Sequence, residues 1–265
     1  MVVYAGQGDA SRSLALLWGR QLPTEARPGP KPVLDVRVIF DVAIMVADAE
    51  GMSALSMRAV GERLGKTAMA IYTHVPNKSV LIDLMYDRVL GERLTDHPLD
   101  GGWRPALTAW AHDAWDFYGR HPWMLQVSTA RPVLGPNEYR GHEELVRVLR
   151  ATELPAVEIR RLSESLSSCV RGLAQAFAET REAAKATGMS EEEWWTIRSA
   201  LVDQYAPDFA ERFPHLTAIE REGAYVPTSE TTPYLEQQAL EAFQTGLRVL
   251  LDGIERTVAQ PADRP

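Results

Sequence analysis

Apolar residues recur every three or four positions along most of this chain, which is the spacing of one face of an α-helix. In residues 35–49, for example, Ile39, Val42, Ala43 and Val46 share a face. The same spacing predicts further helices over 56–65, 67–74, 78–94, 103–120, 122–130, 136–151, 155–187, 191–206 and 233–258. No stretch alternates apolar and polar residues as a strand does, and no segment repeats. The pattern therefore predicts an all-α protein.

Capping residues mark the boundaries of the first four helices. A side chain suited to an N-cap precedes each of them: Asp35, Ser56, Thr67 and Asn77. Gly51 follows the first helix, and Gly65 separates the second from the third, where a tight turn needs a left-handed backbone. Residues 56–78 are therefore predicted to form a helix–turn–helix, with Leu64 and Ile71 as its buried anchors.

Changes in composition divide the chain into three parts. Residues 1–33 contain a proline-rich run and are predicted to be a flexible N-terminal extension, although residues 11–20 could form a short helix with Leu14, Leu17 and Trp18 on one side. Residues 34–94 form the predicted helix–turn–helix domain. Residues 95–260 form a larger helical domain, which begins with a loop over 95–102.

Charge and cysteine content narrow the class of protein. The net charge is −8, and the excess acid lies mostly in the larger domain, whereas residues 31–93 are balanced. A helix–turn–helix domain of balanced charge remains compatible with DNA binding even when the larger domain is acidic. The single cysteine, Cys169, rules out an internal disulfide. With no signal peptide and no long apolar span, we expect a soluble cytoplasmic protein.

The sequence carries no recognisable catalytic motif. It has no glycine-rich phosphate loop, no zinc-protease helix, no nucleophile elbow and no Cys/His pair at ligand spacing. We therefore expect no enzymatic activity, no cofactor and no metal site.

The third predicted helix has the composition of a helix that enters the major groove of DNA. Such a helix needs slender or hydrogen-bonding side chains on its outer face. Five residues fit that requirement: Thr67, Ala68, Met69, Ala70 and Thr73. Tyr72 and His74 are placed to contact phosphates, and Arg58 and Lys78 are cations that flank the groove. In the N-terminal extension, Arg27 and Lys31 offer an alternative to a plain tail, an arm that reaches a minor groove.

A second interpretation stays open at this point. Many small helical domains contain a glycine turn between two helices, and Met69 and Tyr72 would then be ordinary core residues. The coincidence of caps, glycine turn, cations and the Pro76-Asn77-Lys78 ending within one stretch favours DNA binding.

Residues 35–92 resemble the DNA-binding domain of the tetracycline-repressor (TetR) family of transcriptional regulators. The matching segments are ADAEGMSALSMRAVGERLG and AIYTHVPNKSVLIDLMYDRV. The resemblance implies contacts with operator DNA for Arg58, Ala68, Met69, Ala70, Tyr72, Thr73, His74 and Lys78. Gly61 departs from the family, which often has alanine there. It would cost about 1 kcal/mol in an exposed helix, or it would allow a neighbouring helix to pack closely.

Two long helices in the larger domain are suited to dimerisation. The stretches 155–187 and 233–258 carry apolar residues at helical spacing, and Gly172 and Gly246 would let helices approach closely. The alternative is that both are core helices of a monomer. The resemblance implies a homodimer, because in this family the last long helices form a four-helix dimer interface.

The segment from Trp103 to Tyr139 is rich in aromatic residues, which are typical of small-molecule sites and also of ordinary cores. It resembles the C-terminal domain of the tetracycline-repressor branch. That resemblance places five residues near the ligand cavity: Trp110, Val127, Arg131, His142 and Leu145. Val127 stands where the family has a metal-chelating histidine, so a magnesium–tetracycline ligand is not expected.

Together these observations predict a ligand-responsive transcriptional regulator, expected to be a repressor. It would bind a palindromic double-stranded DNA operator as a homodimer and be released by a small-molecule effector. The alternative is a helical small-molecule-binding or scaffold protein without operator binding.

Overall fold

A computed structural model describes residues 3–20, 34–93, 96–229 and 231–260. Its helices are α1 (Ala10–Leu17), α2 (Val36–Glu50), α3 (Met57–Arg63), α4 (Ala68–Tyr72), α5 (Lys78–Leu90), α6 (Trp103–Arg120), α7 (Pro136–Arg150), α8 (Ala156–Thr187), α9 (Glu191–Tyr205), α10 (Phe209–Arg212), α11 (Pro214–Arg221) and α12 (Tyr234–Ala259). A 3-10 helix spans Pro122–Gln126, and the short strands β1 (Val3–Tyr4) and β2 (Val127–Ser128) pair in parallel. The all-α prediction is confirmed.

Side-chain caps begin helices α2 to α5 as predicted. The oxygens of Asp35, Ser56, Thr67 and Asn77 each accept a hydrogen bond from a backbone N–H two or three residues further on. These bonds satisfy donors that the first turn of a helix leaves without a partner. Gly65, between α3 and α4, has a φ of +63°, a conformation that glycine adopts without steric strain.

The core of the helix–turn–helix region lies between α2, α3, α4 and α5. Ile39, Val60, Ile71, Leu81 and Met85 are fully buried there. Ile71 is the buried residue of the short helix α4, as the sequence predicted, whereas Leu64 is only partly buried. Burial of this apolar face, rather than helix propensity, holds so short a helix in place.

The segment after α6 differs from the helix predicted over 122–130. It is a 3-10 turn followed by β2, because other groups occupy its backbone. The guanidinium of Arg171 on α8 donates to the carbonyls of Met124, Leu125 and Val127, at 3.2, 2.8 and 2.8 Å. These bonds, together with the pairing of β2 with β1, hold the segment in its non-helical conformation. The short helices α10 and α11 were not predicted either.

Residues 3–20 also differ from the flexible extension that the sequence predicted. They are called here the N-terminal segment, and they contain β1 and the capped helix α1, with Ala5 buried in the core. The apolar residues Val3, Leu16 and Leu17 pack against that core, which explains why the segment is ordered. Arg27 and Lys31, the candidates for a DNA-contacting arm, lie outside the described residues.

Contacts divide the chain into two compact units, Met1–Arg171 with Leu250–Pro265, and Gly172–Val249. The first unit holds the helix–turn–helix and the core around it. In the described part of the second, the buried apolar residues are Ala174, Phe243 and Leu247. The boundary predicted at residues 94 and 95 stays a prediction. None of the helices formed by the described residues is both long and apolar enough to span a bilayer.

Candidate DNA-binding surface and the contacts behind it

Helix α4 presents its predicted base-reading face to solvent. Met69 is 73% exposed and Tyr72 is 42% exposed, so neither is the core residue of the second interpretation. Thr67 and Thr73 are also exposed, while Ala68 and Ala70 are partly buried. The hydroxyl of Thr73 donates to the carbonyl of Met69 at 3.1 Å. Small and slender side chains therefore surround one exposed methionine and one exposed tyrosine.

Gly61 fixes how closely α4 approaches α3. A Cβ atom at this buried position would lie 2.9 Å from the carbonyl oxygen of Lys66 and 3.2 Å from the backbone of Thr67. The backbone of the turn thus occupies the space that an alanine side chain would need. Of the two explanations that the sequence offered for Gly61, the structure agrees with close packing.

Cations flank the exposed face of α4. Lys78 is exposed at the first position of α5, and His74 is partly buried. Arg58 is exposed on α3, but its Nε atom lies 2.7 Å from Glu62 Oε1, an ion pair one helical turn apart. Lys66, exposed in the turn between α3 and α4, is a further cation that the sequence reasoning missed. Its position next to Gly65, in the turn between the two helices, is the sequence feature that could have identified it.

The five predicted ligand residues occupy two kinds of environment. Trp110, Val127 and Leu145 are buried, whereas Arg131 and His142 are exposed. The structure therefore does not bring all five around one enclosed space, and their ligand role stays a prediction. Among the described residues, no group of three or more His, Cys, Asp or Glu side chains could hold a metal ion.

A polar pair lies against Trp110. Arg93 Nε is 3.5 Å from Asp113 Oδ2, and the guanidinium of Arg93 lies 5.3 Å from the centre of the Trp110 ring and 5.8 Å from that of Phe117. Within the described part of the chain, Arg93 Nε and Nη2 and Asp113 Oδ2 are buried without a hydrogen-bond partner. Buried polar groups in proteins are usually hydrogen-bonded, so this pair has unused capacity.

Asp87 on α5 caps helix α7. Its Oδ1 accepts from the backbone N–H groups of Asn137 and Glu138, at 2.9 and 3.0 Å, and its Oδ2 accepts from Asn137 Nδ2 at 3.0 Å. Burial raises the pKa of Asp87, while these hydrogen bonds act against the rise. A Cβ atom on Gly135 would lie 2.1 Å from Asp87 Oδ1, so only glycine fits beside the cap.

His121, at the end of α6, joins two segments of the helix–turn–helix domain. Its ring nitrogens lie 2.9 Å from Asp48 Oδ1 on α2 and 3.0 Å from Glu92 Oε2 just after α5. Burial alone would lower the pKa of His121, but the two carboxylates outweigh it and raise the pKa above the usual value. Trp123 Nε1 donates to the same Asp48 oxygen at 2.8 Å. Asp87 was not identified from the sequence, and the sequence placed His121 beside the aromatic segment without predicting these contacts.

The capped recognition helix, its exposed slender face and its flanking cations define a helix–turn–helix DNA-binding protein with a helical body. Comparison with known families agrees: residues 39–85 match the family described as bacterial regulatory proteins, tetR family, and residues 96–258 match the tetracyclin repressor-like C-terminal domain. The chain belongs to the tetR family, and it is a DNA-binding transcriptional regulator.

One curated relative covers nearly the whole chain. The HTH-type transcriptional repressor DrrR1 of Streptomyces coeruleorubidus is 36% identical over 261 residues, which are 97% of this chain and 89% of that protein. Two solved structures share the fold. ActR of Streptomyces coelicolor in complex with actinorhodin has a TM-score of 0.67 at 23% identity and covers 86% of this chain and 98% of its own. A TetR variant from Acinetobacter baumannii AYE in complex with minocycline has a TM-score of 0.56 at 20% identity, with 86% and 99% covered.

Proposed function

We propose that this regulator is a repressor that binds a palindromic operator as a homodimer and leaves it when a planar aromatic effector binds the larger domain. The observation that carries the proposal is the solvent-facing side of α4. Met69 and Tyr72 are exposed there, whereas Ile71 of the same helix is buried in the core. The name of the relative DrrR1, a transcriptional repressor, supports repression.

On the operator, α4 lies in the major groove. Thr67, Ala68, Met69, Ala70 and Thr73 face the bases, and the methyl and thioether groups among them favour thymine methyl groups. Tyr72, His74 and Lys78 bind phosphates, and Arg58 joins them by exchanging its contact with Glu62 for a phosphate. Lys66 adds a fifth phosphate contact from the turn.

The apolar surface of the second unit and the symmetry of a palindromic operator both support a dimer. Helix α9 has no buried residue, and a helix of this length is marginally stable in water without a packing partner. Its exposed apolar side chains are Trp194, Trp195, Ile197, Leu201, Val202 and Tyr205. Patches of this kind mark interfaces in soluble proteins. We assign the dimer interface to α8 and α12, with α9 extending it.

The effector class rests on the aromatic and polar groups around Trp110. The buried rings of Trp110 and Phe117 lie beside the Arg93–Asp113 ion pair, in which two donor nitrogens and one acceptor oxygen have no hydrogen-bond partner. A planar aromatic molecule with hydroxyl or carbonyl groups matches that combination. The fold-related protein ActR has been crystallised with actinorhodin, which makes that compound a suitable probe.

One experiment tests both halves of the proposal. Electrophoretic mobility shifts are measured on the DNA upstream of the chain's own gene, with and without actinorhodin, for the wild type, Tyr72→Ala and Trp110→Phe. Phenylalanine is chosen at position 110 because it leaves a smaller cavity than alanine. We expect the wild type to bind as a dimer, because each half-site is read by one copy of α4. We also expect the probe to release it from the DNA.

The two variants act as controls for each other. Tyr72→Ala should bind the DNA at least about tenfold more weakly, since it loses a phosphate contact in each protomer. Trp110→Phe should bind the DNA as the wild type does but need more probe for release. No shift at low salt contradicts operator binding. Equal loss of both properties in Trp110→Phe contradicts the effector role of Trp110.

A further inference from the structure

The N-terminal segment begins with a contact to the strand that follows α6. Strand β1 pairs in parallel with β2, with Val3 opposite Val127 and Tyr4 opposite Ser128. Ala5, the next residue, is 2% exposed. The start of the chain is therefore attached to β2, which contains Val127, one of the residues that the family resemblance places at the ligand cavity.

One residue further on, the N-terminal segment contacts α5. The backbone N–H of Gly6 donates to Asp83 Oδ1 at 2.8 Å, and the hydroxyl of Ser13 donates to Asp83 Oδ2 at 2.9 Å. Asp83 is 1% exposed. In the described part of the chain, both hydrogen bonds to its carboxylate come from the N-terminal segment.

This arrangement makes α5 dependent on the N-terminal segment. A buried carboxylate without hydrogen bonds is strongly unfavourable. The two hydrogen bonds that Asp83 accepts come from Gly6 and Ser13, and neither comes from α2, α3 or α4. The segment also lies directly against the helix, since a Cβ atom on Gly8 would be 2.6 Å from Val80 Cγ2. Asp83, on the last helix of the helix–turn–helix region, therefore accepts its hydrogen bonds from residues 77 and 70 positions earlier in the chain.

The far end of the N-terminal segment contacts the start of α7. Trp18 Nε1 donates to the carbonyl of Leu134 at 3.0 Å, and the rings of Trp18 and Tyr139 are 6.3 Å apart. Leu134 has a φ of +62°, an uncommon conformation for a residue other than glycine. The segment thus has three attachments within the first unit: β2, α5 and the turn before α7.

We propose that the N-terminal segment is a coupling element that ties β2 and the turn before α7 to helix α5, with Asp83 as its positioning residue. The two chain steps from Tyr4 to Gly6 span at most about 7 Å, so there is little slack between β2 and Asp83. A displacement of β2 that keeps its pairing with β1 must either move α5 or break the bonds to Asp83. The regulatory consequence rests on the proposed function: an effector that shifts β2 would shift α5 and, with it, the recognition helix α4.

Hydrogen–deuterium exchange of the full-length protein tests the coupling without DNA or effector. In Asp83→Ala we expect backbone amides of residues 3–8 and also of 124–129 to exchange about tenfold faster than in the wild type. In the described part of the chain, Asp83 accepts hydrogen bonds from Gly6 and Ser13 and none from the second stretch, so the response of that stretch measures transmission through the segment. Asp83→Asn keeps a carbonyl oxygen for the Gly6 amide and should stay within about twofold of the wild type.

A substitution on the same helix provides the matched control. Asp87→Ala removes the other buried acid of α5, which binds the start of α7, and should speed exchange at 135–140 while leaving 3–8 unchanged. Should Asp83→Ala lose helix content by circular dichroism, Ser13→Ala removes one bond only and should give a smaller effect in the same two stretches. Wild-type exchange at 124–129 together with opened residues 3–8 would overturn the proposal.

Operator DNA gives a readout that separates this proposal from the proposed function. The wild type should exchange more slowly at 124–129 when operator is bound, because coupling between two sites is reciprocal. Asp83→Ala should bind the operator without that slowing. If the wild type does not bind DNA, the proposed function fails, while the exchange of the free protein still decides whether Asp83 couples α5 to β2.

Discussion

Single polar side chains connect the helix–turn–helix region to the rest of the first unit. Asp83 and Asp87 lie one turn apart on α5, yet one binds the N-terminal segment and the other caps α7. His121 adds a third connection, through Asp48 and Glu92. Asp83, Asp87 and His121 are themselves buried, where hydrogen bonds to charged groups contribute more than they do on the surface.

The His121 connection should make stability depend on pH. The pKa of His121 is raised in the folded protein, so the ring binds its proton more tightly there than in the unfolded chain. Its contribution is therefore complete below the usual histidine pKa of about 6.5 and is lost as pH rises through the raised value. We expect the free energy of unfolding, measured with urea, to fall over this window in the wild type.

Two substitutions locate the effect. In His121→Gln the fall above about pH 6.5 should be smaller, because glutamine does not titrate. His142→Gln changes an exposed histidine on α7 and should keep the wild-type slope. Equal slopes in the wild type and His121→Gln would show that the pH dependence arises elsewhere.

At the scale of elements, the sequence predicted what depends on local chemistry. Helices α2 to α5 begin at their capping residues because a cap and its N–H partner lie within three residues of each other. The sequence allowed a short helix over residues 11–20, but the attachment of the N-terminal segment to the rest of the unit could not be predicted in this way. Its order depends on Asp83, which is 77 residues from Gly6 and 70 from Ser13. The 3-10 turn before β2 likewise depends on Arg171, more than forty positions along the chain.

The candidate site shows the same division. The exposure of Met69 and Tyr72 follows from the helical period of α4, so the solvent-facing side of this helix was predictable. The exposure of Arg131 and His142 could not be predicted. An alignment with the family does not say whether a residue in a loop or at the edge of a helix face reaches the interior. The Arg93–Asp113 pair was missed because it joins residues on different elements.

The junction between α5 and α7 gives a prediction at this scale. Gly135→Ala should lower the free energy of unfolding by about 1–3 kcal/mol, since the new methyl group would overlap the Asp87 carboxylate. Gly141→Ala is the matched control within α7, because a Cβ atom there meets nothing within 4 Å. It should raise stability by up to about 1 kcal/mol through helix propensity. Urea unfolding measures both, and equal stabilities for the two variants would contradict the packing at Gly135.

The whole molecule combines a DNA-binding helix–turn–helix domain with a larger helical domain of the family's C-terminal type. The family places both domains in one chain. Helix α5 follows α4 and is hydrogen-bonded to Gly6, to α1 and to α7. An acidic chain with a net charge of −8 must then bind DNA through a few local cations. That requirement makes the electrostatics of the α4 surface the most direct test.

The decisive measurement is the salt dependence of operator binding, followed by fluorescence anisotropy, for the wild type, Lys78→Ala and Lys185→Ala. Each phosphate contact contributes about 0.9 to the slope of log K against log salt concentration. Lys78→Ala removes one contact per protomer and should flatten the slope by about 2 in a dimer. Lys185→Ala changes an exposed lysine on α8 and should leave the slope unchanged. An unchanged slope in Lys78→Ala would contradict DNA recognition through this surface.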